Sequence, residues 1–475
     1  MKMQPDESRA AKYGVMKLSK VFLKKDVNML EGSIVKGLLA ISIPIMIMNV
    51  TQSLFNIIDM TVLKNFANDE FAVGSVGVCG TLISLITGLL IGCSSGANVV
   101  IARRIGRNDK EGSKKAVGTS ISFAFLGGVF ISAVGILGAR LFLKWMNCDD
   151  ELLPNAVLYF RLYFAGVPIL MVYNFSASIL RSKGDASRPM IYLMTGGAVK
   201  LVLNIIFVAV LQMSVVGVAI ATIISWAVSC FFGVRALLKN ENEMIKLSPK
   251  GIKLSRRELL DILEIGIPAG LQQALYSIAN VIISATVNSF GKEATTGISI
   301  ANNFDGILYQ IACAPSFAVM PYVSQNLGAN NLPRAKKAIT RGMWIAIAFA
   351  GSIGALSAIF SGPLSSIMSS NPEVIKYSQQ KMVIISSTYF ICGINQILSE
   401  ATRGFRRPMV PTAATLIFMC AIRFFWVYVL FPHFPEPKLT FLYLVWPVGW
   451  VLSIIMILAF LIPTIKGNWQ KRFHF

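Results

Sequence analysis

The chain has 475 residues, of which 55% are hydrophobic and only 14% are charged. About a quarter of the residues in a soluble domain are charged, so this composition excludes an ordinary soluble protein and predicts a polytopic membrane protein. The formal net charge of +21 would suggest a nucleic-acid partner, unless the basic residues lie between membrane spans.

Residues 1–30 are predicted to form a basic cytoplasmic tail. They are polar, with five lysines between Lys12 and Lys25. They lack the apolar core and the small-residue cleavage site of a secretory signal. The N-terminus is therefore expected to stay in the cytoplasm.

Twelve apolar runs of about 20 residues follow, a length that crosses a bilayer as a helix. The predicted fold class is all-α, a polytopic membrane protein with twelve transmembrane helices. The predicted spans, numbered 1 to 12, are 38–63, 76–101, 116–143, 156–180, 190–212, 215–237, 259–287, 295–323, 340–360, 379–402, 409–431 and 441–465.

The distribution of basic residues fixes the predicted orientation. With an even number of spans both termini lie on one side, and 34 of the 44 Lys and Arg residues fall in segments assigned to that side, against six on the other. This excess is a positive-inside signal, and it explains the net charge without nucleic acid. The protein is expected in a bacterial-type inner membrane, with both termini cytoplasmic.

The two halves of the chain repeat each other. Ile43-Pro44 returns as Ile267-Pro268, and Arg188-Pro189-Met190 returns as Arg407-Pro408-Met409. The loop 102–117 returns as 324–339, so three matches occur in the same order at a nearly constant offset. The predicted domains are an N-terminal six-helix lobe over 31–240, a cytoplasmic linker over 241–258 and a C-terminal six-helix lobe over 259–475.

Because each half has an even number of spans, both halves enter the membrane from the same side, and the repeat is parallel. Two such pseudo-symmetric bundles enclose a central cleft, and rocking of one against the other opens that cleft to either side in turn. This architecture is typical of a secondary transporter.

A polar stripe runs along span 1. Asn49, Gln52, Asn56 and Asp59 recur every three or four residues, so they share one face of a helix. An ionised Asp at bilayer depth costs at least about 2.5–3.5 kcal/mol, which makes Asp59 a candidate functional residue. Its carboxylate could take up a proton, ligate Na⁺ or pair with a cationic substrate.

The second half has its own polar faces. Gln273, Tyr276 and Asn280 form the matching stripe of span 7, and Asn302 and Asp305 share a face of span 8. The three stripes are predicted to line the substrate cleft, although helix contacts explain the stripe of span 7 equally well. Asp305 is a second candidate for cation coupling, or simply a hydrogen-bond partner of neighbouring amides.

Other chemistry is missing from the sequence. There is no GxxxxGK[ST] motif for nucleotide hydrolysis, the only histidines are His433 and His474, and the seven cysteines form no CxxC pair. An enzyme is therefore disfavoured, no cofactor is expected, and an ion gradient, H⁺ or Na⁺, is the remaining source of energy.

The repeated motifs resemble those of the multidrug and toxic compound extrusion (MATE) family. The likeness rests on the Ile-Pro and Asn-Ile-Ile-Asp59 of span 1, the Ile-Gly106-Arg-Asn108 loop with its echo at Gly328, and the two Arg-Pro loops at Pro189 and Pro408. It implies cation-coupled antiport of organic cations or other amphipathic compounds. It also implies that Asp59 is the main coupling carboxylate, with Asn204 of span 5 and Thr222 of span 6 as its partners.

The chain departs from the family pattern at three positions. The acid that many members carry one turn after the span-5 Asn is Val208 here, and the acids of spans 7 and 10 correspond to Tyr276 and Cys392. Coupling is therefore expected to depend on Asp59 alone or on Asp59 with Asp305.

Other functions are kept as alternatives. A lipid-linked glycan flippase of the same superfamily would need a cationic cleft, for which only Lys200, Arg423 and Arg161 are available. A membrane-embedded enzyme or a channel is disfavoured. The expected partners are small amphipathic or cationic molecules and the lipid bilayer, with the protein acting as a monomer because one chain contains both lobes.

Overall fold

The computed structural model describes residues 26–466, apart from 68, 70, 147 and 434–437. Residues 1–25 of the predicted tail over 1–30 lie outside the described residues, as does His474. Within the described part, each of the twelve predicted spans falls on a helix or on consecutive helices, so the all-α fold class is confirmed. Nine helices are long and apolar enough to cross a membrane by themselves, and two bent helix pairs also pass this test.

The helices have the following bounds. Spans 1 to 3 are Ile34–Phe66, Ala72–Gly106 and Lys110–Trp145, span 4 is Leu153–Ala165 with Val167–Ser182, span 5 is Ser187–Asn204 with a π-helix Ile205–Val210, and span 6 is Ser214–Leu238. Spans 7 to 9 are Arg256–Asn288, Lys292–Gly328 and Leu332–Ile359, and span 10 is Pro372–Ser387 with Tyr389–Gly404. Span 11 runs through Met409–Thr415, Leu416–Ala421, Ile422–Phe425 and Trp426–Leu430, and span 12 is Lys438–Tyr443 with Val445–Lys466.

The repeat is visible in the local backbone. Asn108 and Asn330, at equivalent places in the two loops, both have a positive φ, of 57° and 58°. Asn tolerates this left-handed conformation better than most residues. The next residues, Asp109 and Asn331, then cap spans 3 and 9 by accepting hydrogen bonds from backbone N–H groups. The same short motif therefore ends one helix and starts the next in both halves.

The loops rich in Lys and Arg meet at one end of the bundle, which we call the basic end. There Ser113 Oγ donates to Met244 O over 2.6 Å, and Gln325 Nε2 donates to Ser182 O over 2.6 Å. At the opposite end, which we call the far end, Asn155 Nδ2 donates to Asp69 Oδ2 over 2.7 Å.

Candidate functional site

A face of span 2 shows how the two lobes separate. Gly77, Gly88 and Gly106 share this face, because their spacings are close to whole numbers of helical turns. A Cβ on Gly106 would lie 2.0 Å from Gln325 O, and a Cβ on Gly88 would lie 3.2 Å from Gln273 Cβ. A Cβ on Gly77 would meet nothing within 4 Å. The lobes therefore touch at the basic end and leave open space along span 2 towards the far end.

Backbone contact holds the closed half together. A Cβ on Gly92 would lie 2.2 Å from Gly270 N, and a Cβ on Gly96 would lie 2.2 Å from Ile262 O. Such close approach of spans 2 and 7 requires glycine at both positions, which is the usual role of small residues between membrane helices.

Ion pairs also join the lobes at the basic end. Arg104 at the end of span 2 contacts Glu258 at the start of span 7 over 2.7 Å. A cavity of about 230 Å³ beside this pair is lined largely by arginines, including Arg107. Burial, together with the charges of Arg104 and Arg406, lowers the pKa of Arg107. This end is strongly basic even though its arginines have acidic neighbours.

Span 1 meets span 5 at Asp59. Lys200 Nζ lies 2.5 Å from Asp59 Oδ2, and Asn204 Nδ2 donates to Asp59 Oδ1 over 2.6 Å. All three residues are buried. Lys200 and Asn204 are four residues apart and so share a helical face, and the π-helix Ile205–Val210 begins directly after Asn204. Both carboxylate oxygens of Asp59 therefore already have a partner.

Sequence reasoning brought Asn204 to Asp59 but missed Lys200 as the ion-pair partner. The available signal was that Lys200 lies one turn before Asn204 on the same face. Thr222, expected as a further partner, is buried, and its hydroxyl donates to Val218 O over 2.8 Å in its own helix. Within the described residues no hydrogen bond joins Thr222 to Asp59.

Asp305 of span 8 also pairs with a lysine. Lys381 Nζ of span 10 lies 2.9 Å from Asp305 Oδ2 and also donates to the side-chain oxygen of Asn302. Lys381 is 3% exposed. Like Asp59, Asp305 is thus neutralised by a buried ammonium group.

A third buried cation, Arg423, lies in span 11. It is 0% exposed, and its Nη1 donates to Asn280 Oδ1 of span 7 over 2.7 Å. Its guanidinium carbon lies 4.9 Å from the centre of the Trp446 ring. Beside this group the Tyr276 hydroxyl accepts a hydrogen bond from Trp450 Nε1 over 3.0 Å.

The predicted cleft residues differ in exposure. Gln52, Asn56, Asn280 and Asn302 are exposed, whereas Asn49, Gln273 and Tyr276 are half-buried. Their role in lining the cleft stays a prediction.

The family model for MatE matches residues 44–210 and 268–429, one segment in each half of the chain. The chain belongs to the multidrug and toxic compound extrusion (MATE) family. The resemblance inferred from the motifs is thereby confirmed. This MATE protein is 24% identical over 441 residues to the probable multidrug resistance protein YoeA of Bacillus subtilis. The alignment covers 90% of this chain and 93% of YoeA.

Two further relatives are also similar to this chain. The probable multidrug resistance protein NorM of Thermotoga maritima is 25% identical over 442 residues, covering 92% of this chain and 93% of NorM. The FAD transporter of Shewanella oneidensis is 24% identical over 391 residues, covering 82% of this chain and 86% of that protein.

Among solved structures, an outward-facing multidrug resistance MATE transporter matches this MATE protein with a TM-score of 0.86 at 23% identity. The match covers 95% of this chain and 99% of the other. A likeness at this identity shows a shared fold.

Proposed function

We propose that this MATE protein is a proton-coupled antiporter that exports small amphipathic molecules by alternating access. The observation that carries the proposal is the position of Asp59 between Lys200 and Asn204. A carboxylate buried beside a cation is a group whose protonation changes the structure around it, because the partner then loses its counter-charge.

Protonation of Asp59 would leave the ammonium of Lys200 buried without an ion-pair partner. An uncompensated buried charge is costly, so spans 1 and 5 must rearrange or admit water. Gln52 and Asn56, which lie on the same face of span 1 as Asp59, would move with it. Loading with a proton thereby alters the wall of the cleft and weakens substrate binding.

The arrangement favours H⁺ over Na⁺ as the coupling ion. A sodium ion would have to displace the Lys200 ammonium from Asp59 Oδ2 and Asn204 from Asp59 Oδ1, whereas a proton needs only one carboxylate oxygen.

The basic end is proposed to face the cytoplasm, in accordance with the positive-inside rule. The conformation described here, with the lobes in contact at the basic end, is then closed to the cytoplasm, and its cleft opens outward. Transport in this scheme needs no catalytic group, and one chain supplies both lobes, so the monomer is the proposed working unit.

The test is transport by the full-length protein in proteoliposomes, with a pH gradient or a Na⁺ gradient imposed separately. Ethidium and 8-anilinonaphthalene-1-sulfonate serve as cationic and anionic probes, so the result does not depend on substrate charge. We expect the pH gradient alone to drive movement of at least one probe. Asp59→Asn should abolish this movement, whereas Asp150→Asn, at an exposed acid near the far end, should leave it unchanged. Transport by Asp59→Asn at the wild-type rate would refute the mechanism.

A further inference from the structure

The two halves of the chain place different charged residues between equivalent pairs of spans. Arg423 is the counterpart of Asn204, because the offset between them is the one that relates the two Arg-Pro-Met motifs. Asn280 is likewise the counterpart of Asn56, at the offset of the two Ile-Pro motifs. The N-terminal lobe joins its first and fifth spans through an acid on the first, Asp59, that pairs with Lys200 on the fifth. The C-terminal lobe joins the equivalent spans through a cation on the fifth, Arg423, and the neutral Asn280.

Arg423 lacks the counter-charge that its burial requires. Within the described residues no carboxylate oxygen lies within 4.0 Å of its guanidinium nitrogens. Its Nε and Nη2 are buried and have no hydrogen-bond partner. In the described part of the chain the guanidinium therefore has only two partners, the side-chain oxygen of Asn280 and the ring of Trp446, and neither is an anion. A buried guanidinium with open donors is unfavourable unless an anion completes it.

The neighbouring charges do not compensate for Arg423. Lys381, the other cation near Trp446, is 6.0 Å from the ring centre and is neutralised by Asp305. In the N-terminal lobe Asp59 is neutralised by Lys200. The buried charges of the two sites therefore sum to one excess positive charge, which resides on Arg423.

The backbone on both sides of Arg423 departs from a regular α-helix. Span 11 carries π-helical segments on both sides of the short helix Ile422–Phe425, and π-bulges are frequent at functional sites. Asn280, which accepts from Arg423, is itself exposed. An anion that approaches past Asn280 would reach the guanidinium by displacing one amide oxygen.

We propose that Arg423, with Asn280 and Trp446, binds the anionic group of the transported molecule, which is a carboxylate, sulfonate or phosphate on an amphipathic solute. Guanidinium is suited to such groups because it offers paired N–H donors in a plane. The proposal rests on the proposed transport function, since it names the substrate class. It replaces the expectation of cationic substrates, because both candidate carboxylates already have lysine partners.

The test compares two ligands of the same shape and opposite charge, 1-naphthoate and 1-naphthylmethylammonium. Equilibrium dialysis against the purified full-length protein in a nonionic detergent measures both affinities. We expect the naphthoate to bind about tenfold or more tightly than the ammonium compound, as the loss or gain of a charge-assisted hydrogen bond implies. Tighter binding of the ammonium compound would overturn the proposal.

Variants locate the subsite. Arg423→Gln should weaken naphthoate binding about tenfold or more, and Arg423→Lys should retain part of the affinity. Arg140→Gln removes the same charge from an exposed position of span 3 and should have no effect. Wild-type affinity in Arg423→Gln would overturn the proposal. If Arg423→Gln does not fold, two measurements still test the proposal: the naphthoate affinity of Arg423→Lys, and the comparison of the two ligands on the wild type.

A final experiment asks whether the site binds a solute or a lipid headgroup, because a lipid phosphate is also an anion that a guanidinium can bind. Phosphatidylglycerol added to the micelles should not displace naphthoate, and displacement by the lipid together with weak naphthoate binding would contradict a solute site. Binding is measured without an ion gradient, so a failure of proton-driven transport would not affect the binding results. Equally, proton-driven transport could succeed even if naphthoate did not bind at Arg423.

Discussion

Equivalent pairs of helices carry charged residues of different kinds in the N-terminal and C-terminal lobes. Asp59 in the first lobe can gain or lose a charge by taking up a proton, whereas Arg423 in the second is always charged in proteins. A group that switches charge suits energy coupling, and a group with fixed charge suits anchoring of a ligand. Under the two proposals above, the two copies of the duplicated bundle have diverged into a coupling lobe and a substrate-binding lobe.

The largest expected effect is a loss of unfolding free energy when the ion pair of the N-terminal lobe is broken. Lys200→Met leaves Asp59 as a buried charge without its cation, and removal of one partner of a buried pair costs about 3–5 kcal/mol. The double variant Asp59→Leu with Lys200→Met should recover most of this loss while remaining inactive in proton-driven transport. The double-mutant cycle also needs the single variant Asp59→Leu. Titration with sodium dodecyl sulfate in mixed micelles measures the free energy of unfolding of the wild type and of all three variants. A loss in the double variant equal to the sum of the losses in Asp59→Leu and Lys200→Met would show that the two side chains do not act as a pair.

The next effect tests whether both lobes share one cleft that is closed at the basic end. Gly92→Ala places a Cβ 2.2 Å from Gly270 N, and overpacking of this kind costs about 1–3 kcal/mol. Gly77→Ala meets open space and should stabilise its helix slightly, because Ala is the better helix former. Unfolding free energies of the two variants should therefore change in opposite directions. A loss of similar size in both would show that the far half of span 2 is packed.

The smallest effect concerns Arg423. Because no described carboxylate pairs with it, Arg423→Met removes an uncompensated charge, and we expect no loss of unfolding free energy and a gain of up to about 1 kcal/mol. The same substitution type at Lys200 is strongly destabilising, so the pair of Met variants measures the contrast between the lobes directly. A loss at Arg423 as large as that at Lys200 would mean that Asn280 and Trp446 already satisfy the guanidinium.

Hydropathy and repeats predicted where the spans lie, because each span must bury about 20 apolar residues whatever its neighbours are. They did not predict the pairing of Lys200 with Asp59 or of Lys381 with Asp305. Such contacts depend on how each helix is rotated about its axis, which packing against neighbouring spans decides. Arg423 and Asn280 were visible in the sequence, but only the structure reveals the open donors of the guanidinium.

The measurement that bears most directly on the central claim is the number of protons released when a ligand binds. Proton loading of Asp59 and substrate binding are proposed to oppose each other, so by reciprocity a bound ligand must expel protons. Calorimetric titration of 1-naphthoate or ethidium, whichever binds, in buffers of different ionisation enthalpy gives that number. At a pH low enough for the ligand-free wild type to carry a proton on Asp59, we expect release of up to one proton per bound molecule, and none in Asp59→Asn. No release from the wild type, or equal release from both proteins, would contradict the account.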